Sequence, residues 1–254
     1  MTGPVDIEQH GAILVIAINR PQQRNAVNRA VSLAIVDALD RLDSDPALRV
    51  GIITGRGGSF CAGMDLKAFV DGERPEIEGR GFAGVTEAPP KKPLIAAVEG
   101  FALAGGCELA LACDLIVAAE TAWFGLPEVT RGLVAGSGGL VRLPRRIPEA
   151  IALEYALTGE RMSATTAHRW GLVNRLTAEG AALDGALALA NAITANAPLG
   201  TAMTKRIMRE SRSWSEDQIW ELQRPLVESV LASGDAKEGA RAFAEKRAPQ
   251  WTGT

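Results

Sequence analysis

Histidine is scarce in this chain: there are only two, His10 and His168, beside three cysteines, Cys61, Cys107 and Cys113. The histidines lie far apart and no cysteines form a CxxC pair, so no metal site of the zinc type is expected. A Ser-His hydrolase would have to recruit one of those two histidines. "AGSGG" at 135–139 opens on Ala135 and is therefore not the GxSxG nucleophile turn. A cysteine nucleophile meets the same shortage of bases, and the odd cysteine count fits reduced thiols in a cytosolic core. The net charge of −3 carries no basic excess of the kind nucleic-acid binding favours. No run reaches the roughly 18 apolar residues that a membrane span needs. The opening "MTGPVDIEQHGAILVIAINR" lacks the basic start and long apolar stretch of a signal peptide. No nucleic-acid or membrane partner is expected, and the location expected is cytoplasmic. "GRGGSF" lacks the third glycine of GxGxxG, which argues against a dinucleotide fold.

Apolar residues make up 47% of the 254 positions, enough for a well-filled core of one large domain or two small ones. In the front part, short β-rich runs alternate with helical patterns. "AILVIAINR" reads as a strand closed at Asn19-Arg20-Pro21. The spacing of Val31, Ala34, Ile35, Ala38, Leu39 and Leu42 predicts a helix, with Asn28 as its N-cap and Asp45-Pro46 as its exit. "VGIITG", "PLIAAVEG", "DLIVAAE" and "GLVNRL" read as further strands. Residues 71–93, rich in Gly, Pro and charge, read as a loop, of a length that is usually functional or disordered. After Gly180 only helical patterns remain. "SEDQ" suggests a Ser215–Gln218 capping box, Pro225 suggests a kink or break, and Asp235 and Glu238 suggest the cap of a last helix through Ala244. The fold class expected is α/β with a helical C-terminal extension.

Three stretches carry the chemistry. In "AGGCELALACD", Gly105-Gly106 follows a strand and opens a helix, where unpaired N–H groups and a partial positive charge collect. Glu108 stands one turn on, on the face of Gly105, so a donor and a carboxylate address one small volume. Alone, the same residues also read as an ordinary helix start. In "GGSFCAGMDL", Gly63-Met64 offers a second backbone N–H, and two such donors converging on a carbonyl oxygen form an oxyanion hole; Asp65 also reads as a plain first-turn acid. In "WFGLPEVTRGLVAGSGG", Glu128 follows Pro127 in an otherwise apolar run, where it too fits a helix start.

Taken in order, "NRP…NAVN", "GIITGRGGSFCAGMDL", "KPLIAAVEGFALAGGCELALACDLIVA", "FGLPEV…RGLV…GGLVRLPR", "LTGERMSATTAHRWGLVNRL" and "EGARAFAEKR" resemble the crotonase family, also called the enoyl-CoA hydratase/isomerase family, over almost the whole chain. The resemblance implies a crotonase-like spiral of ββα units over residues 1–197 and a C-terminal helical trimerisation region over 198–254. It implies an acyl-CoA substrate, with coenzyme A entering as part of that substrate and no separate cofactor, and a homo-trimer or a hexamer built as a dimer of trimers. Carried over, the oxyanion donors are the N–H groups of Met64 and Gly105, and the proton-transfer pair is Glu108 and Glu128. CoA contacts implied are Arg24, Ala62, Lys67, Phe243 and Lys246, the last two often reaching a neighbouring subunit; the cations among them also fit solvated surface charges. The activity implied is hydration of a trans-2-enoyl thioester. The alternatives are Δ3,Δ2-enoyl-CoA isomerisation, for which Glu128 alone would suffice, and acyl-CoA binding with little turnover. Ala104 stands where many hydratases carry a third glycine, and the stretch before Gly138 lacks a common proline.

Overall fold

Branched aliphatic runs set the main sheet. In the computed structural model, which describes residues 3–254, "ILVIAI" is buried along its whole length, as a strand covered on both faces must be. Met1 and Thr2, the first two residues of the expected 1–197 core, lie outside the described residues. The front of the chain runs β1 (Val5–His10), β2 (Ile13–Ile18), α1 (Arg29–Ser44), β3 (Val50–Gly55), α2 (Leu66–Val70), β4 (Leu94–Val98), β5 (Phe101–Leu103) and α3 (Gly105–Ala112). Then come β6 (Leu115–Ala119), β7 (Trp123–Gly125), α4 (Gly139–Arg142), α5 (Glu149–Thr158), β8 (Met162–Ser163), α6 (Ala164–Arg169) and β9 (Arg175–Thr177). Helices α7 (Ala182–Thr194), α8 (Pro198–Glu210), α9 (Ile219–Leu231) and α10 (Gly234–Ala244) complete it.

The six-stranded sheet has the order β1-β2-β3-β4-β6-β9, with β1 antiparallel to β2 and every other neighbour parallel. The smaller sheet, β5-β7-β8, collects the second strand of successive units: β4 leads to β5, and β6 leads to β7. A bridge from Cys61 to Ala102 adds the stretch after β3 to the same layer. Repetition of strand, strand and helix thus winds the chain into a spiral, the fold class expected. Alternate residues of β2 serve two cores. Ile13 and Val15 pack with Ala186 and Ala190 of α7, whereas Leu14, Ile16 and Ile18 pack on the side of α1 and α3.

Local chemistry explains where elements begin and end. Asn28 caps α1 by accepting from the Val31 N–H at 3.1 Å, as its spacing predicted. Strand β1, an exposed edge with few apolar residues, gave no strong sequence signal. "GLVNRL" contributes only Arg175 onward to β9, because Leu172 and Val173 are buried beside Ala167 instead. Ser215 and Gln218 do bond side chain to side chain, at 2.8 Å, but in a turn that precedes α9. Pro225 lies inside α9 without breaking it. The cap of α10 is Ser233, which accepts from Ala236 N–H at 3.0 Å; the buried Asp235 instead accepts from the backbone of Thr252 and Gly253. Residues 71–93 are largely irregular, as a loop is, but turn about a buried centre, Phe82 to Thr86, packed against α1. Among the described residues no helix is long and apolar enough to cross a membrane.

Candidate active site

Helix α3 is buried on every side, as a helix without a polar face must be. Its two opening glycines have no room for a side chain. A Cβ on Gly106 would stand 2.2 Å from the Cys61 carbonyl oxygen, and one on Gly105 would stand 2.6 Å from the ring of Phe82. The tight entry also fixes Ala104 at φ +51°, ψ −128°, a conformation that favours glycine. At the other end, Arg146 and Arg209 donate to the carbonyls of Leu111 and Ala112, placing cations at the negative end of the helix.

Two backbone N–H groups without acceptors among the described residues lie near the start of α3. The Val27–Met64 bridge is made by Val27 N–H to Gly63 O and Asp65 N–H to Val27 O, which leaves the Met64 N–H unused. The N–H groups of Met64 and Gly105 donate to no acceptor among the described residues. The two segments are in close approach, since a Cβ on Gly63 would lie 3.1 Å from the Gly105 nitrogen. Asp65 is the N-cap of α2, accepting from Lys67 and Ala68 and pairing with Arg20 at 2.8 Å, so its role is structural.

Glu108 is 3% exposed. Its Oε1 accepts from the Ser137 N–H at 2.7 Å and the Gly139 N–H at 2.8 Å. Burial raises its proton affinity above that of an ordinary carboxylate; the two N–H groups pull it back, and the charge of Glu128 raises it further. Glu128 stands in the short helical turn Pro127–Arg131 after β7. Burial raises its proton affinity too, and its buried Oε2 has no hydrogen-bond partner. It borders an apolar cavity of about 300 Å³ lined by Leu126, Val134, Leu140, Leu143 and Leu153, with the rim open to the surface. Burial pushes the thiols of Cys61, Cys107 and Cys113 up to about 12, which leaves no thiolate at neutral pH.

Of the residues singled out from sequence, Gly105 and Glu108 lie in the first turn of α3, Met64 follows Gly63 beside it, and Glu128 is near enough for its charge to act on Glu108. Arg24 and Ala62 are adjacent, with the Ala62 N–H donating to Arg24 O at 3.1 Å, and Lys67 is exposed on α2 a few residues on. Phe243 and Lys246 are exposed at the end of α10; Phe243, at 87% exposure, packs on almost nothing in its own chain. Ser137, Gly139 and Phe82 were not foreseen. The glycines after "FGLPEV" were the one signal for the first two: a Cβ on Gly139 would come within 2.9 Å of Glu108 Cγ.

The model of the enoyl-CoA hydratase/isomerase family matches residues 8–254. The carnitinyl-CoA dehydratase of Proteus mirabilis is 44% identical over 261 residues, covering 100% of both chains. Among solved structures, an enoyl-CoA hydratase of Mycobacterium marinum has a TM-score of 0.98 at 63% identity, covering 100% of both chains. An enoyl-CoA hydratase of Mycobacterium tuberculosis has a TM-score of 0.98 at 62% identity, again over 100% of both.

Proposed function

The chain belongs to the enoyl-CoA hydratase/isomerase family, and from that premise we propose that it adds water across the double bond of a trans-2-enoyl-CoA to give the 3-hydroxyacyl-CoA. Hydro-lyase chemistry on an acyl-CoA thioester is the common ground of the relatives' names. The observation that carries the assignment is the unequal setting of two glutamates beside two free N–H groups. Glu108 has two donors on one oxygen, which favours its ionised form and leaves Oε2 to accept a proton. Glu128 has a buried oxygen with no donor, which favours its protonated form. Burial raises the proton affinity of both carboxyls, so the difference in their donors is what divides base from acid.

The thioester carbonyl oxygen accepts from the N–H groups of Met64 and Gly105. Glu108 takes a proton from water as the water oxygen bonds to Cβ, and the π electrons move through Cα onto the carbonyl oxygen. The enolate is held by the two N–H groups until Glu128 delivers a proton to Cα. The two carboxyls exchange protons as one system between turnovers. Isomerisation needs a single base and gives no role to the second glutamate, so hydration uses more of the site. The CoA portion is assigned to Arg24, Ala62 and Lys67, with Phe243 and Lys246 supplied from a neighbouring copy in a homo-trimer or hexamer. The exposed Phe243, Trp220 and Met208 of α8–α10 and the exposed rim of the Glu128 cavity are the surfaces such a copy would cover. Residues 198–254 are accordingly assigned to assembly.

The test is incubation with trans-2-enoyl-CoAs of graded chain length, following loss of the conjugated thioester absorbance and product mass. A product one water heavier supports hydration. Conversion of a 3-enoyl to a 2-enoyl thioester without water gain would replace it by isomerisation, and tight binding without either product would leave a non-catalytic acyl-CoA binder.

A further inference from the structure

The turn that holds Glu108 is itself gripped from outside. Arg142, the last residue of α4, folds back so that Nη1 donates to Ser137 O at 3.2 Å while Nη2 donates to Thr86 O. Its guanidinium lies over Gly138, where φ is +95°, a backbone conformation that favours glycine, and where a Cβ would stand 2.1 Å from Nη1 and push the guanidinium aside. The side chain is partly buried, burial disfavours its charge, and no carboxylate pairs with it among the described residues. A cation so placed is a poor stabiliser in its own right.

What it joins is specific. On one side is the Ser137–Gly139 turn, whose two N–H groups hold Glu108 Oε1. On the other is the segment that seats Phe82 on Gly105, in which Gly81, Ala83 and Gly84 all have positive φ. The Thr86 hydroxyl is buried without a partner, and it is the Thr86 backbone carbonyl, accepting from the Arg142 side chain, that ties this segment to α4.

We infer that Arg142 is a positioning residue for the reaction: it locks the turn that presents Glu108 to the segment that packs on Gly105, and so holds base and oxyanion donor in one frame. The inference rests on the assignment of Glu108 as base and Gly105 as donor. Displacement of a reacting group by about 1 Å costs on the order of 10²-fold in rate.

The experiment compares wild type, Arg142→Gln, Arg142→Ala, Arg142→Lys and Glu108→Gln, each as the purified assembly, with melting temperature as a control for folding. For Arg142→Gln, kcat should fall about 10²-fold while KM changes by less than about threefold. Added guanidinium ion should restore part of kcat in Arg142→Ala, and Arg142→Lys should fall between wild type and Arg142→Gln. A folded Arg142→Gln with wild-type kcat overturns the inference, as does a loss shared by kcat, KM and melting temperature that guanidinium does not relieve. If the Gln and Ala variants fail to fold, Arg142→Lys decides: lowered kcat at unchanged KM supports the role and unchanged kcat refutes it. Hydration surviving in Glu108→Gln would remove the base assignment and this inference with it. An inactive Glu108→Gln beside a fully active Arg142→Gln would remove this inference alone.

Discussion

At the scale of single residues, the proposed reaction asks for opposite protonation states of two glutamates whose proton affinity burial raises alike. Burial gives Glu128 a higher proton affinity in the native chain than in the unfolded one. The native state then binds more protons in that range, so this group's contribution is fully favourable at acid pH and is lost as pH rises through the native value. Glu128→Gln removes the titrating group. The variant should melt at a higher temperature than wild type at pH 7–8 and converge with it near pH 4, while hydration falls by about 10²–10⁴-fold. Thermal melts across that range, beside the assay, check both halves. Because Glu108 must be ionised to act and burial raises its proton affinity, the acid limb of the rate profile should lie above the ordinary glutamate value of about 4.3.

Two further substitutions probe the space around these groups. Gly139→Ala puts a methyl 2.9 Å from Glu108 Cγ and should cost about 1–3 kcal/mol of stability and most of the activity. Ala104→Gly relieves a positive φ at the entry to α3, and denaturant titration should find it stabilised by about 1 kcal/mol. The sequence marked Glu108 as oddly placed because it is the one acid in an apolar run, and the family resemblance marked Ala104 because many hydratases carry glycine there. It could not mark Ser137 or Arg142, whose parts depend on backbone groups brought together by the spiral. Nor could it mark Phe82, buried within a stretch whose Gly, Pro and charge content reads as solvent-exposed loop.

At the scale of elements, α3 is the axis of the site. Its first turn carries Gly105 and Glu108, the proposed donor and base, and its last turn is fastened by cations from later in the chain. Asp114, just past that end, accepts from the Leu94 N–H at 2.8 Å and pairs with Lys205 at 2.7 Å and Arg209 at 2.8 Å, which ties α8 to the sheet. The Lys205 ammonium also reaches the carbonyls of Pro90 and Lys92. Removing one member of such a partly buried group leaves the others uncompensated. Asp114→Asn should therefore lower stability by about 3 kcal/mol, read by denaturant unfolding. Helices with strong local signals, such as α1 with its Asn28 cap, were legible from residue spacing alone. The start of α10 was not: the acid expected to cap it, Asp235, is taken by the returning C-terminal residues, and Ser233 caps instead.

At the scale of the whole molecule, α8–α10 carry apolar residues that their own chain leaves bare: Met208 is 67% exposed, Trp220 68% and Phe243 87%. Contiguous apolar patches mark surfaces that another protein covers, and the proposed assembly assigns these residues to one. Light scattering should give the mass of three or six copies, and Trp220→Glu should shift it downward with loss of activity wherever Phe243 and Lys246 serve a neighbour's site. A wild-type monomer with full activity would reject that assignment. The spiral was legible through the family resemblance, whose landmarks follow in order along the chain, whereas the proposed assembly depends on a surface that only the folded chain displays.

The most direct measurement is the hydration rate of wild type and Glu108→Gln on the same trans-2-enoyl-CoA, with the affinity of each for a saturated acyl-CoA measured in parallel. A fall of about 10²–10⁴-fold in kcat with affinity retained is the expected result. Near-normal hydration by Glu108→Gln would contradict the assignment of Glu108 as the base that activates water.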